Sequence, residues 1–273
     1  MKVRKICGGA NAPRGQRSIA LIAAATLLAA PAAAASDEVT TAHPALWVVR
    51  DHDTTIYLFG TFHALSPNIR WLDGKVATAF KRSDSLVLET IVPASPKELE
   101  TAGTRAMAGR PRDFIKATSS TIRQGAQVGL TVSLGADAVL RRAADEAGKA
   151  VSGLEGFEEQ LAILANIPSA PPASAITAPQ PAAPSVSMND LLKSWKSGDD
   201  KAFAAMLANF EAKSPVAYRM LIADRNAKWE RRIEAMLDRP GRTFVAVGAG
   251  HLSGRDSVIA LLKARGLKVR RIA

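Results

Sequence analysis

The chain has 273 residues, 47% of them apolar and 22% charged, a globular balance that excludes a disordered or fibrous protein and provides for one substantial core. Its formal net charge of +11 comes from 36 basic and 25 acidic residues, but five of the basic ones lie among the first 17 positions; the remaining 31 are interspersed with the acids and form no aromatic-interleaved patch, which argues against nucleic-acid binding. The single cysteine, Cys7, belongs to that basic start, so the rest of the chain has neither disulfides nor thiolate metal ligands, and any metal must be held by His, Asp, Glu or water.

Residues 1–35 read as a cleaved export signal. Lys2, Arg4, Lys5, Arg14 and Arg17 form the positive region, Ile19 to Ala30 the apolar region, and Ala33-Ala34-Ala35 a small-residue site with cleavage predicted after Ala35. A membrane anchor is the competing reading, but the apolar run is short of the roughly 18 to 20 residues that cross a bilayer. Cys7 precedes the apolar run, which is the wrong place for a lipid-modified cysteine. The expectation is a periplasmic or secreted protein, residues 36–273 forming one domain with no stable membrane insertion once the signal is removed.

Leu46 to Arg50 and Thr54 to Phe59 are rich in β-branched and aromatic residues and flank Asp51-His52-Asp53, which predicts a β-hairpin. A helix follows from about Asp73, its predicted cap, to Lys81, then a buried strand, Ser85 to Leu88, ending at Glu89. Pro96 to Met107 has helical spacing. Asp137 to Ala147 is predicted as a helix with Asp137 as N-cap and Gly148 as its stop, and Ala150 to Leu154 as a strand.

Pro168 to Ser187 contains six prolines and no charge, and reads as a linker or exposed loop. Helices are predicted near Met188 to Lys196, Asp199 to Phe210 and Pro215 to Leu237. Arg242 to Val247 is a strand, Gly248 to His251 a turn, Asp256 to Ala264 a helix, and Leu267 to Ile272 a last strand, giving a β-α-β unit with parallel strands and a right-handed crossover. The fold class expected is α/β (α+β): a mixed central β-sheet flanked by helices, with a helical insertion in the C-terminal half before the last β-α-β unit.

Two Gly-x-x-His turns carry the chemistry: Gly60-Thr61-Phe62-His63 and Gly248-Ala249-Gly250-His251, each after an apolar strand. Ligands gather at the carboxyl ends of strands in open α/β sheets, and glycine there permits a tight turn or close approach. One such turn could equally hold a packed histidine; two in the same context, using half of the four histidines, point to one site. Glu89 is the third candidate, because Leu86-Val87-Leu88 drives a carboxylate to a strand end, where a buried charge needs a partner. A helix-capping or salt-bridged glutamate at the sheet rim is the plain alternative.

A His63, His251 and Glu89 set suits zinc, manganese, cobalt or iron and leaves positions for an activated water. Glu155 ends its strand in the same manner, and is either a supporting acid or an ordinary helix N-terminal one. Arg225 could clamp an oxyanion or carboxylate, with Asn226 beside it and Trp229 one turn on; a solvated helix arginine is the alternative. His43 and His52 read as surface residues, and the Met and Trp positions as core.

The segments LFGTFHALSP, LVLE, GLE followed by Gln160, RN followed by Trp229, and FVAVGAGHLSGRDSVIALLKARGLKVRRI resemble the TraB/GumN family, which is related to the Tiki proteases. The resemblance runs from about Leu46 to the C-terminus. It implies a mixed sheet flanked by helices, paired GxxH motifs with an acidic residue in a shared site, and, for Tiki-like members, manganese- or cobalt-dependent proteolysis. On this chain it carries over to Gly60, His63, Glu89, Gly248 and His251, with Glu155, Arg225 and Asn226 beside them. The expected activity is therefore a metal-dependent hydrolase, a peptidase, using manganese or cobalt in preference to zinc and acting on a peptide or protein. A non-catalytic periplasmic binding protein for a peptide or envelope partner is the alternative. Metal-free hydrolysis, as in erythromycin-esterase-like relatives, is a third. The Pro/Ala-rich segment and Gly156, where a polar residue is common, depart from the family pattern.

Overall fold

The computed structural model describes residues 38–107, 126–127, 129–167 and 186–273. Residues 1–35, where an export signal is expected, and all but the last two residues of the Pro/Ala-rich segment lie outside the described residues.

A six-stranded sheet organises residues 38–273. The hairpin strands β2 (Leu46–Arg50) and β3 (Thr54–Thr61) pair antiparallel, with Leu46 opposite Phe59 and Arg50 opposite Thr55. Asp51 closes the turn: its Oδ1 accepts from the backbone N–H of Thr54 at 2.8 Å. Strands β5 (Ser85–Leu88), β6 (Ala150–Gly153) and β7 (Gly241–Gly248) complete the interior with β3, in the order β6-β5-β7-β3-β2-β8, and the first four of these run parallel. A separate parallel pair, β1 (Thr40–Thr41) and β4 (Ile69–Arg70), lies outside this sheet. The mixed sheet flanked by helices is the fold class read from the sequence.

Both faces of the sheet are covered, which is why Phe244 to Val247 of β7 is a continuous apolar run with no polar alternation. Phe244 and Ala246 face one cluster with Leu46, Phe59 and Leu86, packed by α1 (Gly74–Arg82), α3 (Ala136–Glu146), Trp71, Trp195 and Phe203. Val245 and Val247 face the other, with Ile56, Leu58 and Val87, packed by Trp229 and Ile233 of α8 (Asp224–Glu234) and by Val258, Ile259 and Leu262 of α9 (Val258–Ala264). The remaining helices are α2 (Pro96–Met107), α4 (Phe157–Ala165), α5 (Met188–Ser197), α6 (Lys201–Lys213) and α7 (Pro215–Tyr218). No helix among the described residues is long and apolar enough to cross a membrane.

Four expectations are corrected. Asp137 does not cap α3: Gly135 is the N-cap, and Asp137 sits in the first turn with its carboxylate turned to His63. Asp73 is the N-cap of α1 but makes no capping hydrogen bond; its carboxylate faces Arg70 at 3.4 Å. The helix expected from Pro215 to Leu237 is interrupted by a π-helical turn at Arg219–Ala223 and ends in a 3₁₀ turn at Ala235–Asp238. The last strand, β8, is only Arg270–Arg271; it runs in the same direction as β7 but pairs with β2, two strands away.

Candidate functional site

The parallel strands β6, β5, β7 and β3 end at one edge of the sheet, so Glu155, Glu89, Gly248 and Thr61 emerge side by side. The pairing continues past the β5 and β6 ends, where the N–H of Leu154 donates to Leu88 O at 2.8 Å and that of Glu155 to Glu89 O at 2.9 Å. This ladder sets the two carboxylates next to each other. The register Gly60 to Val247 and Thr61 to Gly248 brings the two Gly-x-x-His turns together.

The motif glycines have distinct steric duties. A Cβ on Gly60 would stand 3.1 Å from Ala249 Cα and 3.2 Å from Ala249 Cβ, so the first glycine lets the second turn pack against the first. A Cβ on Gly248 would stand 3.1 Å from both Glu89 Oε1 and His63 Nε2, so the second glycine leaves the space those two atoms border. After Gly248 the chain winds into a 3₁₀ turn, Ala249–Leu252, which buries His251.

Each imidazole is held at Nδ1. His251 Nδ1 lies 2.6 Å from Asn226 Oδ1, and Asn226 Nδ2 donates to Asp256 O at 2.7 Å, which fixes the amide with its oxygen toward the ring. His251 Nε2 faces Arg225 Nη1 at 3.3 Å; because a guanidinium only donates, Nε2 accepts and the proton is on Nδ1. His63 Nδ1 lies 3.2 Å from Asp137 Oδ1. That contact depends on α3: a Cβ on Gly135 would fall 2.3 Å from His63 O, and the N–H of Ala136 donates to Phe62 O at 2.9 Å, so the helix start abuts the first turn and presents Asp137 to its histidine.

Arg225 is the centre of charge. Its Nε and Nη2 bind Glu155 as a fork, at 3.1 and 2.6 Å, and Nη2 also reaches Glu89 Oε2 at 2.9 Å. Nη1 donates to Leu221 O at 3.2 Å, inside the π-helical turn, and the guanidinium lies 4.5 Å over the Trp229 ring. Trp229 in turn packs on His251 with ring centroids 4.5 Å apart. Glu89 Oε1 accepts from the Gly248 N–H at 2.7 Å and lies 3.9 Å from His251 Nε2.

These neighbours move the titrations apart. Desolvation favours the neutral form of Glu89, but the facing imidazoles of His251 and His63, the Arg225 guanidinium and the Gly248 N–H outweigh it and hold the carboxyl at about 2. Burial, helped by the Arg225 and His63 charges and opposed by Glu89, pushes His251 down to about 4. At His63 desolvation is overcome by the hydrogen bond and charge of Asp137, together with Glu89, and the pKa rises to about 9. At neutral pH the site thus presents an ionised Glu89, a neutral His251 with a free-base Nε2, and a protonated His63.

A cleft of about 480 Å³ opens beside these groups, with His63, Gly248 and His251 on its wall. Its other walls include Leu130, Val132, Leu191, Phe203, Met206 and Ile222, and among its described lining residues the two histidines are the only ionisable ones.

All the sequence-predicted site residues, Gly60, His63, Glu89, Glu155, Arg225, Asn226, Gly248 and His251, meet at this edge. Asn226 is wholly buried and spent on His251 and Asp256, and Arg225 on the two carboxylates, so both hold other groups in place. Asp137 and Gly135 escaped the sequence reading: the first was assigned to its own helix, and its one signal, an acid beside a predicted helix start, is common. His43 and His52 are exposed and away from the cluster.

The sequence profile of the TraB/PrgY/gumN family matches residues 45–109 and 97–271. The chain belongs to the TraB/PrgY/gumN family. No curated protein matches it, and no solved structure does.

Proposed function

We propose that the protein is an exported, metal-dependent hydrolase of peptides, its site formed by His63, Glu89 and His251. The observation that carries this reading is that both histidines are anchored through Nδ1, by Asp137 and Asn226, and direct Nε2 toward the side of the cluster where Glu89 Oε1 lies. Histidines that bind metal are oriented in this way by a partner on the other ring nitrogen.

The donor set fits a divalent ion in type, two imidazole nitrogens and a carboxylate oxygen, and the 3.9 Å between His251 Nε2 and Glu89 Oε1 suits two ligands of one ion. The set is open: among the described residues, the trio of such groups with ligand atoms mutually within 4.8 Å is the exposed Asp51, His52 and Asp53. Manganese or cobalt is preferred to zinc in this proposal because the family resemblance points to them. When bound, such an ion acidifies a water and polarises a carbonyl.

The chain's own groups do the rest. Where an ion is held, Glu89, ionised at neutral pH, and His63, with its Nε2 proton given up and its Nδ1–H kept on Asp137, would be its ligands. In the metal-free route Glu89 instead accepts a proton from the attacking water, and His63, protonated through Asp137, carries a proton for the leaving group at the mouth of the cleft. Arg225 keeps the buried carboxylates from repelling each other, and the apolar walls seat an uncharged side chain while excluding water. Export is supported by the order of basic, apolar and small-residue stretches in residues 1–35.

A metal-free variant of the same reaction is favoured by one contact, the Arg225 Nη1 to His251 Nε2 approach of 3.3 Å, which occupies a nitrogen that a metal would use. Elemental analysis with manganese, cobalt and zinc titration of the protein starting at Ser36, beside its His63→Ala/His251→Ala variant, separates the two. Stoichiometric metal lost in the variant supports the metallohydrolase. Peptide cleavage that survives chelation yet is lost in the variant supports the metal-free route, and no cleavage of any peptide removes both.

A further inference from the structure

At the other end of the same sheet, four arginines converge on a trough of about 370 Å³. Arg50, Thr55 and Arg242 are directly paired across β2, β3 and β7, forming one row; Arg270, Val48 and Tyr57 form the next row along the same face. Arg82, at the end of α1, closes the side, and Tyr57 and Thr55 lie on the floor. Thr55 is six residues before Thr61, about 20 Å along β3, so this trough is well separated from the His63 and His251 site.

None of the four guanidiniums forms an ion pair among the described residues. Asp84 and Asp51 lie nearby but accept from backbone N–H groups, of Arg242 at 2.8 Å and of Thr54, and Arg242 Nη1 donates to Arg82 O at 3.4 Å, so four cations face two acids at the trough. Like charges gathered in a concavity repel, and a bound anion relieves that repulsion.

We propose that this trough binds a compact, multiply charged phosphate group. The reasoning rests on charge density. Four cations around about 370 Å³ are matched by the three or four negative charges of a di- or triphosphate, whereas a polysaccharide with one carboxylate per sugar spreads its charge over a far larger volume. Arginine's planar fork binds phosphate oxygens in pairs, and the Tyr57 and Thr55 hydroxyls on the floor are suited to the oxygens left over. The same phosphate chemistry can come from a free polyphosphate or from a phospholipid headgroup.

The test is calorimetric titration with inorganic tripolyphosphate at low and moderate salt, in parallel with co-sedimentation on vesicles containing phosphatidic acid, whose headgroup is a multiply charged phosphomonoester. Binding to either is expected, weakening with salt, and weakened about tenfold or more in Arg242→Ser/Arg270→Ser because charge-assisted bonds are lost. Binding only to vesicles assigns the phosphate to a lipid. Arg50→Ser/Arg82→Ser, on the opposite walls, should weaken binding alike, which guards against a folding defect in the first pair; both variants should keep or gain thermal stability without ligand. No binding to either probe, binding indifferent to both pairs of substitutions, or glucuronate binding as tightly as tripolyphosphate overturns the proposal.

Discussion

His251 Nδ1–H donates to Asn226 Oδ1 across 2.6 Å, and that single contact decides which ring nitrogen faces the cluster. Both residues are buried, and the amide is fixed at its other end by Asp256 O, so neither partner can turn to water.

Asn226→Ala should therefore leave a buried imidazole N–H and a carbonyl without partners. The expected cost is about 2 to 6 kcal/mol of folding stability, at about 1 to 3 kcal/mol per buried unsatisfied group, read by urea denaturation. Metal affinity of the variant should fall by about 10 to 100-fold because the ring loses its orientation. A variant as stable as the parent would show that His251 is not held in this way.

Arg225→Met should be more damaging, since it strands two carboxylates that share one guanidinium. Breaking a buried ion pair by removing one partner costs about 3 to 5 kcal/mol. The loss should have a recognisable pH dependence. Without the guanidinium the folded-state pKa of Glu89 rises from about 2 toward its unfolded value, so the stability that the ionised carboxylate contributes above about pH 4.5 shrinks, and the deficit relative to the parent narrows as pH falls from about 4.5 toward 2. Denaturation at pH 7 and pH 3 checks this: a deficit equal at both contradicts the role assigned to Arg225. Arg225→Lys should recover only part, because an ammonium lacks the fork that Glu155 and Glu89 share.

The two histidines should give the metal-free protein a stability maximum near neutral pH. His251 has a folded pKa of about 4, below its unfolded value, so its contribution is present above about pH 6.5 and is lost as pH falls toward 4, at about 1.4 kcal/mol per pH unit. His63 is shifted the other way, to about 9, so its contribution is present below about pH 6.5 and fades as pH rises through 9. The alkaline limb should be shallow, because the His63 side chain is 60% exposed and its pairing with Asp137 is screened. Proton NMR titration of the imidazole Cε1–H signals measures both values directly. Asp137→Asn should lower the His63 pKa and leave His251 nearly unchanged; if both move, the assignment of Asp137 to His63 fails.

The legible part of this site was its strand ends. Runs such as Leu86-Val87-Leu88 and Phe244 to Val247 are apolar without alternation because helices cover both faces of the sheet, and a glycine, histidine or glutamate directly after such a run stands out against it. The supports were less legible because they are made by distant pieces of chain. Asp137 looks like a helix cap, and only the approach of Gly135 to His63 O turns it to the histidine. Arg225 and Asn226 were visible beside Trp229 on a helix rich in charged residues, but their orientation depends on the π-helical turn at Arg219–Ala223, whose extra residue leaves no periodicity to read. The last strand was overestimated because Leu267 and Val269 pack on the core from outside the ladder, giving an apolar pattern without strand pairing.

Gly60→Ala and Gly248→Ala should separate two kinds of damage at the same sheet edge. At Gly60 the added methyl meets the Ala249 backbone, which cannot yield without moving the second turn, so a loss of about 1 to 3 kcal/mol in stability is expected along with a loss of activity. At Gly248 the methyl meets the tips of the Glu89 and His63 side chains, and His63 can swing outward because it is exposed. Stability should then change less than in Gly60→Ala, while metal affinity and peptide cleavage fall at least as far. Thermal melts paired with metal titration of the two variants decide the matter: if Gly248→Ala binds metal and cleaves like the parent, the space beside Gly248 is not where the reaction occurs.

The apolar cleft makes the last prediction one of selectivity. Among its described lining residues only His63 and His251 ionise, so a charged side chain seated against its apolar walls would be desolvated, while a leucine, methionine or phenylalanine gains from burial. Cleavage of a peptide library should accordingly favour a bulky apolar residue beside the scissile bond. Ile222→Asn and Met206→Gln, at partly buried wall positions, should raise KM for such peptides with little change in kcat, because burial of the side chain contributes to substrate and transition state alike. Roughly tenfold per lost apolar contact is the expected scale, since a methylene or two in a hydrophobic pocket discriminates by about 1 to 3 kcal/mol. A drop in kcat at constant KM would mean instead that these walls position the catalytic groups.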